Sequence, residues 1–322
     1  MLAQEQHTQA FAKQESSALI AGLHGAVAYS GFRSGQHPDR GEGAKNPSAE
    51  EILEDLKILA ATEMFPLIRL YDSQGNSEMV LQQIKAHDLP IKVMLGAWLD
   101  AELSNHEGCA WLTEPIPAEE LEENRLANVA EVERTIRLAQ TYPEIVVAVN
   151  IGNEALIDWN DHLVSIESMI GYMKQVKAAI DQPISTADNY VAWINHADAL
   201  SKVVDFAGVH TYPIWEHKPI EEGLAYTIEN MVAVQKALPN TPLSIMEAGW
   251  ATVATEFPEQ ANEDNQVIHF NELWEWTRKM NITTFWFEAF DEDWKGNPND
   301  PNGAEKHWGL YTVDRKPKAV MR

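Results

Sequence analysis

One cysteine, Cys109, stands in the whole 322-residue chain, so no disulfide can form within it and stability must come from a packed core. In the polar stretch Asn105-His106-Glu107-Gly108-Cys109 the thiol reads as a loop bystander, not a nucleophile. Basic residues are scarce as well. The 24 Lys plus Arg face 49 Asp plus Glu, and a formal net charge of −25 repels nucleic acid, anionic membrane surfaces and acidic polysaccharides. A neutral partner fits this balance best, although the charge by itself reads as solubility. No apolar run reaches the roughly 18 residues of a membrane-spanning helix. The opening MLAQEQHTQAFAKQESS lacks the basic and apolar regions of a signal peptide, so a soluble protein is expected, either cytoplasmic or exported with its signal already removed. No glycine-rich phosphate loop follows the first apolar run, and no His-x-His pair joins His24, His37 or His210 there. Neither a cofactor nor a metal is expected. Linkers, low-complexity tracts and fixed-period repeats are missing too, which argues for one catalytic domain over 21–322 behind an N-terminal extension over 1–20; a monomer is expected.

What is present is a repeated alternation of short β-branched or apolar runs with longer stretches of helical period. The runs begin around Leu23, Leu67, Ile91, Ile145, Ile184, Val203, Leu243 and Ile282. The run at Ile184-Ser185-Thr186 is the shortest and most polar. Between the runs, Ser48 with Glu51 three residues later forms a capping box ahead of an apolar stripe. A helix over Asn124 to Gln140 stops before Tyr142-Pro143. Eight βα units in one chain favour a closed (β/α)8 barrel over an open doubly wound sheet. Chemistry in such a barrel collects at the C-terminal ends of the strands.

Two carboxylates stand at such ends. Val149-Asn150-Ile151-Gly152-Asn153-Glu154 closes the fourth run, and Ile245-Met246-Glu247-Ala248-Gly249-Trp250 closes the seventh. Glutamates on strands three positions apart can face each other across the barrel mouth, as cleavage of a glycosidic bond requires. A lone strand-end glutamate could be an ordinary ion-pair member; the pair, with aromatic residues at the same rim, points to catalysis.

The sequence resembles the family 17 glycoside hydrolases, the β-1,3-glucanases, and their bacterial members in particular. The likeness runs over about 22–318 and is carried by Val27-Ala28-Tyr29-Ser30-Gly31-Phe32-Arg33, Ile68-Arg69-Leu70-Tyr71-Asp72, Ile151-Gly152-Asn153-Glu154, Val209-His210-Thr211-Tyr212-Pro213, Glu247-Ala248-Gly249-Trp250 and Phe285-Trp286-Phe287-Glu288-Ala289-Phe290-Asp291-Glu292. It implies a retaining double displacement with Glu154 as acid/base and Glu247 as nucleophile, their carboxyl groups about 5–5.5 Å apart. It further implies a neutral β-glucan substrate and substrate contacts from Tyr29, Arg33, Tyr71, Asp72, Asn153, His210 and Tyr212. Plant members follow the nucleophile with Thr-Gly-Trp-Pro, whereas Ala248 and Ala251 stand here in place of the threonine and proline. That departure bears on chain-length preference and leaves the carboxylate in place.

Asn153 can donate to a sugar 2-hydroxyl or to the nucleophile, and His210 reads as a neutral hydrogen-bonding group near the sugar or nucleophile. Glu288, Glu292 and Lys295 follow the last run, where the resemblance has them line subsites or support the nucleophile; the alternative is a salt-bridge cluster that touches no sugar. Of 11 tryptophans, Trp98, Trp215, Trp250, Trp286 and Trp294 stand where a sugar ring could stack, with Trp250 and Trp294 the choices for substrate contact. Trp274 and Trp276 sit at core positions of the preceding helix. Hydrolysis of laminarin-type glucan leads, transfer of the glycosyl group to another sugar shares its chemistry, and a barrel that binds without cutting is disfavoured by retention of both glutamates.

Overall fold

The computed structural model describes residues 11–15, 19–39 and 43–322. Eight parallel strands close into a barrel in sequence order: β1 Gly25–Ala28, β2 Leu67–Arg69, β3 Lys92–Ala97, β4 Val146–Asn153, β5 Ile184–Asn189, β6 Ala207–His210, β7 Leu243–Ala248 and β8 Thr284–Trp286. β8 pairs back onto β1 through Gly25–Thr284, Ala26–Phe285 and Val27–Trp286. The helices are α1 Ala49–Ala61, α2 Gly75–Ala86, α3 Ala118–Thr141, α4 Ile166–Ala179, α5 Tyr190–Asn195, α6 Ala197–Leu200, α7 Ile220–Ala237 and α8 Glu263–Met280. The expected barrel is therefore present, but the helices are not one per strand. Two short helices follow β5, and β8 is followed among the described residues only by 3₁₀ turns at Ala304–Lys306 and Ala319–Met321. Asn, Pro and Gly between Gly296 and Gly303 deny that segment a helical period.

Side chains alternate along each strand. Ala26, Leu67, Met94, Ala148, Ala187, Phe206, Met246 and Phe285 fill the barrel interior with Ile20, whereas Val27, Ile68, Val93 and Val149 pack outward in the cluster shared with the helices. The capping box holds: the Ser48 hydroxyl accepts from Glu51 N while the Glu51 carboxylate accepts from Ser48 N, a device worth about 1 kcal/mol. α3 starts before its expected first residue because its first turns, Ala118-Glu119-Glu120, are polar and leave no apolar stripe to read. β6 likewise starts at Ala207, since Val203 and Val204 belong to the turn closing α6, where their N–H groups donate to Leu200 O.

Residues 1–10 and 16–18 of the expected N-terminal extension lie outside the described residues. Residues 11–15 dock against the barrel. Phe11 is buried edge-on to Trp276, and Gln14 exchanges hydrogen bonds with Leu243 at the start of β7 and with Asn281. Among the described residues no helix is long and apolar enough to cross a membrane.

Candidate active site

Glu247 lies at the end of β7, buried, and is held by four side chains from the ends of two other strands, β2 and β6. Arg69 Nη1 donates to Oε1 at 2.6 Å, Tyr71 Oη to the same oxygen at 2.9 Å, and Tyr212 Oη to Oε2 at 2.6 Å, while His210 Nδ1 lies 3.5 Å from Oε2. Burial pushes this carboxyl up, but the charges of His210 and Arg69 and the hydrogen bonds from Tyr212 and Arg69 outweigh it and hold Glu247 below the ordinary glutamate value. Strict alternation would turn Glu247 away from the interior, because its neighbour Met246 fills the barrel. The register slips here against both neighbouring strands, between Val209 and His210 and between Ile245 and Ala248, and this irregularity brings Glu247 to the mouth.

β4 ends in the same way. Its pairing with β5 slips between Asn150 and Asn153, Gly152 has φ +75°, and Glu154 itself has φ +50°. That left-handed conformation costs a non-glycine residue on the order of 1–3 kcal/mol and is kept by its surroundings: Glu154 N donates to Ala187 O, and Asn160 Nδ2 donates to Glu154 O. Asn153 is fixed on its side-chain oxygen by Arg69 Nη2 and on its carbonyl by His162 Nε2. His210 Nδ1 lies 3.0 Å from Glu154 Oε1 as well as 3.5 Å from Glu247 Oε2. One atom within those distances of both oxygens keeps them no farther apart than the two lengths laid end to end. That limit is the lower edge of the roughly 6.5–9.5 Å spacing of inverting pairs.

Arg69 and Asp188 were not singled out in the sequence. Arg69 is completely buried and ties Glu247 to Asn153, so it sets the relative position of the two strand ends. Its signal was available: in Leu67-Ile68-Arg69 the period of two puts Leu67 and Arg69 on the inner face, and a buried cation needs an anion there. Gly96 on β3 makes room for the next residues of β2, since a Cβ there would lie 2.3 Å from the Tyr71 backbone. Asp188, at the end of β5, accepts from Leu156 N and Asn189 N and is pushed up to about 7 by burial and then by the charge of Glu154.

The segment after β8 forms the other wall. Lys295 Nζ bridges Glu288 and Glu292, Glu292 also accepts from Ser30 Oγ at 2.6 Å and Trp294 Nε1 at 3.1 Å, and Lys306 Nζ holds the loop through the carbonyls of Lys295 and Asn297. Burial raises Glu288 well above the ordinary value despite Lys295, whereas for Glu292 the opposing pull of Lys295 wins and the carboxyl falls. Lys295 is thus ion-paired with both glutamates, an arrangement compatible with a structural cluster and with a subsite wall alike. Glu305, unnoticed in the sequence, is a half-buried third carboxylate pushed up to about 7 by burial and, among charges, by Glu154 and Glu247.

Burial corrects the expected sugar contacts at Trp250, Trp286 and Tyr29, whereas Arg33 and Asp72 stay partly exposed. Trp250 is fully buried, donating from Nε1 to Gln260 O at 2.9 Å with its ring 5.2 Å from His269, so no sugar reaches it. Trp286 points outward onto Phe270, as its place in β8 next to inward Phe285 requires. Tyr29 is buried with its hydroxyl 3.2 Å from Asp55, and Arg33 pairs with the same Asp55 and with Glu54. Both serve an ionic cluster, completed by Arg315, that fastens β1 to α1. Asp72 accepts from Gln74 N and Ser77 Oγ at the start of α2. Tyr71, Asn153, His210 and Tyr212 meet around the two glutamates, and Trp294 stands half-buried beside Phe32.

The chain has counterparts among known proteins. Residues 26–309 match the family model described as BtgE/BtgC glycoside hydrolase domain. The chain belongs to this glycoside hydrolase family. Within it, the chain is 25% identical over 308 residues to a glucan 1,3-beta-glucosidase of Arthroderma benhamiae, covering 89% of this chain and 88% of that protein. It is 27% identical over 305 residues to an Aspergillus fumigatus protein described as a probable glucan endo-1,3-beta-glucosidase, but spans only 40% of that relative's length. Among solved structures, an endo-laminarinase from Formosa superposes with a TM-score of 0.77 at 27% identity over 94% of this chain and 86% of that one. A glycoside hydrolase family 17 β-1,3-glucanosyltransferase from Rhizomucor miehei shares the fold, with a TM-score of 0.70 at 20% identity over 93% and 97% of the two chains.

Proposed function

We propose that this chain is a family 17 enzyme that hydrolyses β-1,3-glucosidic bonds in laminarin-type glucan with retention of configuration, Glu247 acting as nucleophile and Glu154 as acid/base. The observation that carries the reading is His210 Nδ1, 3.0 and 3.5 Å from one oxygen of each carboxylate, an arrangement that fits the short spacing of a retaining pair. The charge state of Glu247 supports its part, since a nucleophile must be ionised and Arg69, Tyr71 and Tyr212 stabilise it so. The substrate class rests on the names of the relatives, and the acidic chain suits a neutral glucan.

In the first step a Glu247 oxygen bonds to the anomeric carbon as the glycosidic C–O bond breaks, and the Glu154 proton passes to the leaving oxygen. In the second, the Glu154 carboxylate takes a proton from water, the water oxygen bonds to the anomeric carbon, and the ester to Glu247 breaks. Both glutamates return to their starting states. Incubation with laminarin and laminarioligosaccharides, read by early product lengths and by the anomer first formed, tests the proposal. Release of the β-anomer is expected; no cleavage, or release of the α-anomer, would overturn it. Products longer than the donor would identify transfer to sugar in place of water.

A further inference from the structure

Both tryptophans that remain strongly exposed among the described residues lie on one pair of loops. Trp111, 61% exposed, follows β3, and Trp159, 42% exposed, follows β4 immediately beyond Glu154; Leu103, 43% exposed, joins them. Exposed indoles usually belong to mobile loops, but these loops are locked together. Glu102 N and Leu103 N both donate to Leu163 O at 3.0 Å, and Asn105 Nδ2 donates to Asp158 O and Asn160 O at 2.8 Å. The Trp111 indole is itself oriented, with Nε1 donating to Asp161 Oδ2 at 2.9 Å. From there Asp161 Oδ1 meets His162 Nδ1 at 2.8 Å, and His162 Nε2 meets Asn153 O at 2.8 Å. A fixed, water-facing indole is thus tied through two side chains to the residue beside Glu154.

We propose that Trp111 and Trp159 form an aromatic platform for the leaving-group side of a neutral β-glucan chain. This rests on the reading of the centre given above. Attack at the anomeric carbon expels the leaving oxygen away from the nucleophile and towards the acid, so sugars on that side pass over β4 and its loop, not over β7. The occupant follows from charge. Neither loop, 99–117 or 155–164, contains a lysine or arginine, while Asp100, Glu102, Glu107, Glu114, Asp158 and Asp161 are all acidic. A second copy of a chain with net charge −25 is repelled there, and so is an acidic polymer. A glucose ring has an uncharged apolar face that stacks on an indole and hydroxyls that carboxylates accept from.

The test compares laminarihexaose with an aryl β-laminaribioside, whose small leaving group cannot reach the loops. Trp111→Ala and Trp159→Ala should each raise KM for the hexaose on the order of tenfold together with a matching fall in kcat/KM, and leave the aryl substrate unchanged. Trp111→Phe, which keeps a ring, should recover most of the loss. Unchanged hexaose kinetics would overturn the platform, as would an equal fall on both substrates, which marks damage to the catalytic centre. A wild-type dimer that dissociates in the variants would assign the patch to a second copy and overturn it too. If the wild-type protein cleaved neither substrate, the catalytic reading itself would fail, an outcome distinct from all of these.

Discussion

Replacing Arg69 by methionine isolates the contribution of a fully buried cation to the ionisation of Glu247. In the native protein Arg69 Nη1 stands 2.6 Å from Glu247 Oε1, and neither side chain is more than marginally exposed. Breaking a buried pair by removing one member costs about 3–5 kcal/mol, because the remaining charge keeps its desolvation without its partner. At 1.36 kcal/mol per pKa unit, this corresponds to about 2–3.5 units. Tyr71, Tyr212 and His210 remain on the carboxylate, so we take the lower end. The acid limb of kcat/KM should therefore rise by about 2 units on an aryl β-laminaribioside. Stability should follow with the matching sign. A depressed carboxylate stabilises the fold above its unfolded value near 4.5 and loses that contribution as pH falls through the lower folded value. With Arg69 gone, that contribution should shrink and its loss on acidification should begin at higher pH, a change that urea unfolding at acidic and neutral pH would read. Arg69→Lys, which keeps the charge but not the fork that reaches Asn153, should shift the limb less. A folded Arg69→Met protein with an unmoved acid limb would refute the reasoning.

Glu247→Ala should abolish turnover, with azide restoring slow formation of the inverted product; near wild-type cleavage would sink the assignment of the nucleophile. Glu154→Ala should lose roughly 10²–10⁴-fold on natural glucan but much less on a substrate with an activated leaving group, and azide should give the retained product. Equal losses on both substrates would count against a proton donor. Asp188, pushed up to about 7, binds its proton more tightly folded than unfolded, where the ordinary value is 3.8. Its contribution is full below 3.8 and lost as pH rises through about 7, so the stability of the wild-type protein should fall relative to Asp188→Asn over that window, and parallel urea midpoints would contradict this. Lys295→Met leaves Glu288 and Glu292 buried without their shared cation and should cost about 3 kcal/mol in urea unfolding, whereas a cost under about 0.5 kcal/mol would class the cluster with surface ion pairs.

The eight strands were legible because each βα unit writes its own local signal: a short apolar run, a capping residue such as Ser48, a stop such as Tyr142-Pro143. Glu154 and Glu247 were legible for the same reason, since a charged residue at the end of an apolar run marks a strand's C-terminal rim. The wrong choices share a different cause. Trp250 and Tyr29 lie at the same rim positions as true cleft residues, and which side a rim side chain takes depends on what packs beside it: His269 and Gln260 for one, Asp55 for the other.

Sequence by itself determined the barrel, its strand order and the two glutamates, because periodicity and strand-end position act within single βα units. Only the tertiary structure decided that β4 and β7 slip register at their ends, that Arg69 joins Glu247 to Asn153, and that the loops carrying Trp111 and Trp159 are tied together. Those outcomes depend on pairing between segments far apart in the chain, where the energy of a buried charge or a shared loop is set by partners that no local pattern names.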